Sequence, residues 1–242
     1  MRINKYLSDA GVCSRRAADK LIEKGLITVD GKVAKVGMQL DGSEKVIVDG
    51  NEVVPQEDKI ILLFNKPKGI VTTSQKKEKD NIIDYINYPT RIYPIGRLDK
   101  NSTGLILLTN DGEIVNKIMR AGNYHEKEYI VSVNKDITDD FIYNMSQGVP
   151  ILDTVTRKCK VQKLQKRKFK IILTQGLNRQ IRRMCEQLGY KVVALKRVRI
   201  MNLELGSLAE GTYRMITEKE LSVLNKMLEG SQSNSVKWRD YE

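Results

Sequence analysis

The first sixty residues carry apolar side chains at helical spacing, followed by short stretches typical of strands. Apolar residues recur at i, i+3, i+4 and i+7 over 3–10, which predicts a helix ended by a glycine. Ser14 is a preferred helix N-cap, so a second helix is predicted from there to Gly25. Stretches rich in β-branched residues at 27–29 and 46–48, each followed by an Asp-Gly turn, predict small strands.

Beyond residue 58 strand-like stretches outnumber helix-like ones. Helical spacing predicts helices over 113–120, 138–147 and 179–188, and a capping box at Thr217 predicts a last helix that ends at Gly230. Strands and helices do not alternate regularly, which favours an α+β fold over a doubly wound parallel sheet. The predicted strands are 60–64, 105–109, 129–133, 169–174, 192–195 and 198–205.

A short polar linker at Pro55–Asp58 divides the chain. We therefore predict a small N-terminal domain over 1–58 and a larger domain over 59–229. Residues 230–242 are polar apart from Trp238, and they are predicted to form a flexible tail.

Positive charge changes this picture, because it is concentrated in one segment. The 242 residues carry a formal net charge of +12. Residues 156–200 hold fifteen Lys or Arg and one acidic residue, whereas residues 1–60 balance to zero. Such clustering is typical of a protein that binds a polyphosphate such as RNA. A solvated basic face is the alternative, and the apolar residues interleaved over 158–170 argue against it, since they indicate a folded segment.

Several classes of site are disfavoured by what the sequence lacks. Three dispersed cysteines without a C-x-x-C pair indicate a reduced protein of the cytoplasm. One histidine in the chain argues against multi-histidine zinc sites and against Ser–His or Cys–His relays. Neither a membrane-spanning stretch nor a signal peptide is predicted. Neither dinucleotide nor P-loop glycine motifs occur, so we expect no nucleotide cofactor. No metal-binding residues are predicted, and a bound ion is left open.

Three polar clusters are candidates for chemistry. Asp99 stands on a glycine-bounded loop between two predicted strands, where it is either a catalytic carboxylate or a turn former. Arg179, Arg182 and Arg183 share a face of a predicted helix and suit binding of phosphate or carboxylate. Cys13–Arg16 places two arginines at a helix start, which suits phosphate binding. Cys185 lies on the apolar face of its helix, which indicates a core residue rather than a nucleophile.

These motifs resemble those of a known family. GRLDKNSTGLILLTNDG (96–112) resembles the signature of the RsuA-like bacterial ribosomal RNA pseudouridine synthases along its whole length. LFNKPKGIVTT, EKEYIVSV, GLNRQIRRM and LKRVRIMNLELG extend the resemblance in the family's order. The segment RINKYLSDAGVCSRRAADKLIEKGLITVDGKV is similar to the alpha-L, S4-type RNA-binding domain that this family carries. Within the family, the motifs are most similar to the RluF branch, which modifies large-subunit ribosomal RNA.

The resemblance implies a largely antiparallel mixed sheet and cofactor-free isomerisation of uridine to pseudouridine in RNA, with the target base flipped out of its stack. It implies Asp99 as nucleophile, Tyr129 stacked on the base, Arg182 paired with Asp99, and Leu195 packed under the tyrosine. The expected partner of this monomeric enzyme is ribosomal RNA of the 23S type, with transfer RNA left open. A non-catalytic RNA-binding or ribosome-assembly factor is the alternative. The residues expected to bind RNA are Arg2, Asn4, Lys5, Ser14, Arg15, Arg16, Lys66, Arg97, Asn178, Arg179 and Arg183.

Overall fold

The computed structural model describes residues 1–56, 58–75 and 77–231, and the predicted tail therefore lies outside the described residues from position 232 onward. Its contacts divide the chain into two compact units. One unit comprises Met1–Ile60, Pro89–Arg91 and Asn110–Gly112, and the other contains the remaining described residues. In the described part of the chain, no helix is long and apolar enough to cross a membrane.

The first unit pairs two helices with a small antiparallel sheet. Its helices are α1 (Ile3–Asp9) and α2 (Arg15–Glu23), and the predicted cap is confirmed because the Ser14 side chain accepts from the Ala17 N–H (3.2 Å). Apolar side chains of both helices and of the sheet form one buried core. The sheet has the order β2-β1-β3-β4 and consists of β1 (Ile27–Val29), β2 (Lys32–Val33), β3 (Val46–Val48) and β4 (Asn51–Glu52).

The second unit is built on a nine-stranded, mostly antiparallel sheet, so the predicted α+β class is confirmed. Seven strands follow the order β11-β12-β8-β13-β7-β5-β15, with β6 paired to β7 and β14 paired to β13. The strands of this unit are β5 (Ile61–Lys66), β6 (Tyr93–Ile95), β7 (Thr103–Thr109), β8 (Lys127–Val133), β9 (Pro150–Ile151), β10 (Thr154–Val155), β11 (Lys160–Gln165), β12 (Lys168–Leu173), β13 (Val192–Ile200), β14 (Leu203–Glu204) and β15 (Tyr213–Met215). Strands β9 and β10 pair with each other in a separate two-stranded sheet.

The helices of the second unit follow the predicted positions closely. The capping box predicted at Thr217 is present, and it opens the last helix. One helix was not predicted, because its five residues are too few for a periodic pattern; it follows the predicted polar loop and is capped by Asn81. The helices are α3 (Ile82–Ile86), α4 (Gly112–Met119), α5 (Asp139–Gln147), α6 (Gln180–Gln187) and α7 (Glu218–Leu228).

Strand β13 corrects one prediction, since it is continuous where the sequence predicted separate strands over 192–195 and 198–205. Two charged residues, Lys196 and Arg197, interrupt the apolar pattern between the two predicted strands. Arg197 is in fact buried, and the register against β8 shifts at two places along the strand. These bulges disturb the simple alternation that a regular strand shows in its sequence.

A glycine permits the parallel contact between β13 and β7. Gly104 pairs with Arg197 and has φ +97°, a conformation that favours glycine. A Cβ atom at this position would clash with the Arg197 carbonyl oxygen. The missing side chain therefore lets the backbones approach and brings the start of β7 beside the middle of β13.

Candidate active site

The second unit contains a cavity of about 390 Å³. Its lining comes from the loop between β6 and β7, from β8 and β13, and from the segment that leads into α6. These elements are far apart in sequence, and the sheet assembles them because β13 lies between β8 and β7. Among the described lining residues there are six cationic side chains and one carboxylate, namely Arg97, Lys100, Lys127, Arg179, Arg182, Arg197 and Asp99.

Asp99 lies on the loop that joins β6 to β7. The Ser102 N–H donates to the Asp99 carbonyl (3.0 Å), which closes a turn directly after the aspartate. Before it, the Thr72 hydroxyl donates to the Leu98 carbonyl (2.9 Å). The loop is thus held on both sides of Asp99, whose side chain is 34% exposed. A carboxylate in this setting has a defined position and remains reachable from the cavity.

Arg182 pairs with this carboxylate from helix α6. Its Nε donates to Asp99 Oδ2 (3.3 Å), and its Nη2 donates to Ser102 Oγ (3.2 Å). Its Nη1 donates to the Val192 carbonyl on β13 at 3.5 Å. The Arg182 side chain is only 11% exposed, so its charge attracts the carboxylate more strongly than it would in bulk water. One side chain therefore links the helix, the aspartate loop and β13.

Arg179 supplies a second positive charge to Asp99. Its Nη1 lies 3.7 Å from Asp99 Oδ2, but the side chain is half exposed and contributes less than Arg182. The structure also corrects the predicted arginine stripe, because Arg179 is the N-cap of α6 with φ +48° rather than a helical residue. Arg183 turns back to Asn178, to whose carbonyl its Nε donates (3.1 Å).

Tyr129 and Leu195 are buried at the same cavity. Tyr129 lies on β8 opposite Arg197 of β13, and Leu195 lies opposite Val131, two residues further along β8. Because side chains alternate along a strand, Tyr129 and Val131 point to the same face of the sheet. The structure thus brings together Asp99, Arg182, Tyr129 and Leu195, whose catalytic roles stay predictions.

Among the residues expected to bind RNA in the second unit, Arg97, Asn178 and Arg179 are exposed and line the cavity. Lys66 is different, because its side chain is wholly buried. Its ammonium donates to the Pro67 carbonyl (2.8 Å) and to the Ile70 carbonyl (2.7 Å), and burial lowers its pKa to about 8. A side chain enclosed by backbone carbonyls cannot reach an RNA phosphate, so the predicted role of Lys66 is wrong for this structure.

In the first unit, Arg2, Ser14, Arg15 and Arg16 are exposed. The two residues predicted between them are engaged within the unit. Asn4 donates to Asp19 Oδ1 (2.9 Å), and Lys5 forms an ion pair with Asp9 (2.7 Å). The exposed cations of the predicted set in this unit are therefore Arg2 and the two arginines at the start of α2.

Sequence reasoning missed Lys127 and Arg197 as cavity residues. Lys127 precedes Tyr129 by two positions, and this spacing places it on the same strand face. Both side chains are buried, with exposures of 6% and 3%. Burial first, and the charge of Arg197 second, lower the pKa of Lys127 to about 8.

Cys185 is fully buried, as the sequence predicted, and burial raises the pKa of its thiol to about 12. A thiol in this setting is not ionised near neutral pH and is a poor nucleophile. Within the described residues, no group of three or more His, Cys, Asp or Glu could hold a metal ion. Asp99 is the one carboxylate among the described lining residues of the cavity.

Two family models match the chain, one in each of its two parts. Residues 60–187 match the model described as RNA pseudouridylate synthase, and residues 1–46 match the S4 domain. The first match contains Asp99, Tyr129 and Arg182. The second contains Arg15 and Arg16.

Known proteins resemble the chain over nearly its whole length. The dual-specificity RNA pseudouridine synthase RluF of Salmonella typhi is 54% identical over 236 residues, which are 97% of this chain and 82% of that protein. The ribosomal large subunit pseudouridine synthase B of Bacillus subtilis is 36% identical over 93% of this chain and 96% of its own length. A crystal structure of a pseudouridylate synthase superposes with a TM-score of 0.68 at 27% identity, covering 93% of this chain and 99% of that one.

Proposed function

Because this chain belongs to the family of RNA pseudouridylate synthases, we propose that it isomerises uridine to pseudouridine in large-subunit ribosomal RNA with Asp99 as its nucleophile. The observation that carries the assignment of the nucleophile is the pair of Asp99 Oδ2 and Arg182 Nε, 3.3 Å apart, at a cavity also lined by Tyr129. A nearly buried guanidinium holds the carboxylate in position for attack.

The isomerisation exchanges one bond for another. The glycosidic C1′–N1 bond breaks, the base turns, and C5 bonds to C1′. The proton on C5 is lost and N1 gains a proton, so the product has the same composition as the substrate. Asp99 starts this sequence by attack on C1′ or on the base, and either route requires the ionised carboxylate.

The neighbouring side chains support separate parts of the reaction. Arg182 holds the carboxylate in place and offsets its charge in a cavity that excludes part of the solvent. The target base must leave its stack, which costs a few kcal/mol. The ring of Tyr129 offers a replacement stacking surface at the cavity, and Leu195 packs beside it on the same sheet face.

The relatives guide the choice of RNA. The name of the Bacillus subtilis relative specifies the ribosomal large subunit, and that of the Salmonella typhi relative specifies dual specificity. We therefore extend the proposal to a second RNA target, for which transfer RNA is the candidate. The excess of cationic side chains around the cavity suits any polyphosphate and does not separate these substrates.

The test is a map of pseudouridine in ribosomal and transfer RNA from a strain that lacks the gene. We expect at least one pseudouridine of large-subunit ribosomal RNA to disappear, and to return when the wild-type gene is supplied. A gene that encodes Asp99→Asn should not restore it. An unchanged map in the deletion strain would overturn the proposed activity and favour a non-catalytic RNA-binding factor.

Replacing Arg15 and Arg16 together by alanine should weaken RNA binding while leaving the rate at saturating RNA within about threefold. Both side chains are exposed on the S4 domain, and each phosphate contact that is lost should lower the slope of log affinity against log salt by about 0.9 for a duplex region. Binding titrations between about 50 and 200 mM salt measure this slope. The double variant Lys32→Ala with Lys35→Ala removes two exposed charges from the same unit and serves as the matched control. Equal slopes in both double variants would contradict the assignment.

A further inference from the structure

Two buried cations at the cavity are not used by the mechanism above. Lys127 and Arg197 both line the cavity, and both are more than nine-tenths buried. Lys127 lies on β8 and Arg197 on the neighbouring strand β13. Arg197 pairs with Tyr129, which follows Lys127 by two residues along β8. The guanidinium carbon of Arg197 is 6.0 Å from the centroid of the Tyr129 ring. The base stacked on Tyr129 would therefore have positive charge beside it.

The protein leaves part of the hydrogen-bonding capacity of both groups unused. In the described structure, Arg197 Nη2 is buried without a partner, although Arg197 Nε donates to the Leu105 carbonyl (2.7 Å). The recorded contact of Lys127 Nζ is a long one, to the His125 carbonyl at 3.4 Å. Buried donors are rarely left without partners, and each such case calls for an explanation such as a ligand. One buried donor without a partner and one ammonium with a long contact, both at one cavity, indicate a ligand with acceptor oxygens.

Charge strengthens this argument. Asp99 is the one carboxylate among the described lining residues, and it is already paired with Arg182. Burial without a counterion is unfavourable for an ammonium, and the lowered pKa of Lys127 reflects that cost. A buried ammonium lowers the stability of the free enzyme. Such a group is retained where it stabilises negative charge that develops during the reaction.

We propose, on the basis of the function proposed above, that Lys127 is a further catalytic residue. Together with Arg197 it binds a carbonyl oxygen of the target uracil and stabilises the negative charge that the base carries between cleavage and reattachment.

The chemistry supplies such a charge. If Asp99 attacks C1′, a carboxylate lone pair forms the new C–O bond and the electrons of the C1′–N1 bond stay on the base. The uracil anion spreads this charge over N1, O2, C5 and O4. C5 then attacks C1′ and expels the carboxylate with its electron pair, after which C5 loses its proton and N1 gains one. If Asp99 instead adds to C6, the electrons of the C5–C6 double bond move toward O4, and the same cations face the charge.

The test compares Lys127→Met with the wild type under single-turnover conditions, on RNA that carries either uridine or 5-fluorouridine at the target position. We expect the rate of uridine consumption to fall about 10²- to 10³-fold, as after the loss of an oxyanion donor. RNA affinity should stay within threefold. Fluorine withdraws electrons and stabilises the anion by itself. The fall in the rate of 5-fluorouridine consumption should therefore be at least tenfold smaller than the fall on uridine. Lys219→Met removes an exposed charge from α7 and should behave as the wild type.

Stability separates this catalytic role from a structural one. Removing a buried ammonium whose recorded contact is one long hydrogen bond should leave the melting temperature of Lys127→Met unchanged or higher. Lys127→Arg keeps the positive charge and should recover at least tenfold of the lost rate. A wild-type rate in Lys127→Met, equal losses on both substrates, or a methionine variant that melts lower or fails to fold would each overturn the inference. Failure of the proposed function is distinguishable, because it would leave the wild type itself without product.

Discussion

Asp99→Asn should abolish pseudouridine formation, with a loss of at least about 10⁴-fold in single-turnover rate, the scale seen when a catalytic nucleophile is removed. The amide has the shape of the carboxylate but no negative charge and almost no nucleophilicity. Its oxygen can still accept a hydrogen bond from Arg182 Nε, which now donates to Oδ2 at 3.3 Å. The fold around the loop should therefore persist, and the loss should be chemical.

The reaction offers a direct assay for this variant. Because the bond from C5 to hydrogen is replaced by a bond to C1′, RNA that carries [5-³H]uridine releases tritium as pseudouridine forms. RNA affinity should stay within about threefold, since removing an anion does not weaken binding to a polyanion. Asp140→Asn removes an exposed carboxylate at the start of α5 and is the matched control. Tritium release by Asp99→Asn within tenfold of the wild type would exclude Asp99 as the nucleophile.

Arg182→Met should lower the single-turnover rate about 10²- to 10³-fold, a loss comparable to that of one preorganised donor at a reacting charge. The guanidinium touches Asp99, Ser102 and the Val192 carbonyl, so its removal both frees the aspartate loop and withdraws the charge that faces the nucleophile. Arg179, at 3.7 Å and half exposed, replaces this charge only in part. The rate at saturating RNA is the measurement that isolates this effect from binding.

Two further variants sharpen the interpretation of Arg182. Arg182→Lys keeps the positive charge, but an ammonium cannot reproduce the planar, forked contacts, so we expect only partial recovery of the rate. Arg183→Met removes the adjacent arginine, which bonds to Asn178 and not to Asp99. It should weaken RNA binding while the rate at saturating RNA changes by less than about threefold. If Arg183→Met slowed the chemistry as much as Arg182→Met, the division between the two arginines would be wrong.

The site shows which kinds of residue a sequence reveals. The local pattern makes Asp99 a candidate, because it stands on a glycine-bounded loop between two predicted strands, and the family resemblance implies its role as nucleophile. Its partner Arg182 lies 83 positions away on another element. Helical periodicity indicated an arginine-rich face, yet it treated Arg179, Arg182 and Arg183 alike. The three arginines make different contacts because Arg179 lies in the turn before the helix and because their side chains point in different directions.

Lysines show the opposite case, because their charge suggests exposure whatever their surroundings. Lys66 was expected to bind RNA, although β5 buries it and backbone carbonyls surround its ammonium. Lys127 was not singled out, although it lies in the cavity beside Tyr129. The burial of a residue depends on which strands flank it. The order of the strands in the sheet determines these neighbours, and a local sequence pattern does not predict that order.

The α+β class, the helix caps at Ser14 and Thr217 and the family follow from the sequence alone, since each depends on short-range spacing or on motifs that are contiguous in the chain. Which charges meet depends on how the distant segments pack together. Because Gly104 has no side chain, β13 can pair with β7. This pairing helps bring the aspartate loop close to β13, to which Arg182 of α6 donates a hydrogen bond. Electrostatic energy falls with distance and rises with burial, and both quantities exist only after distant segments have packed together.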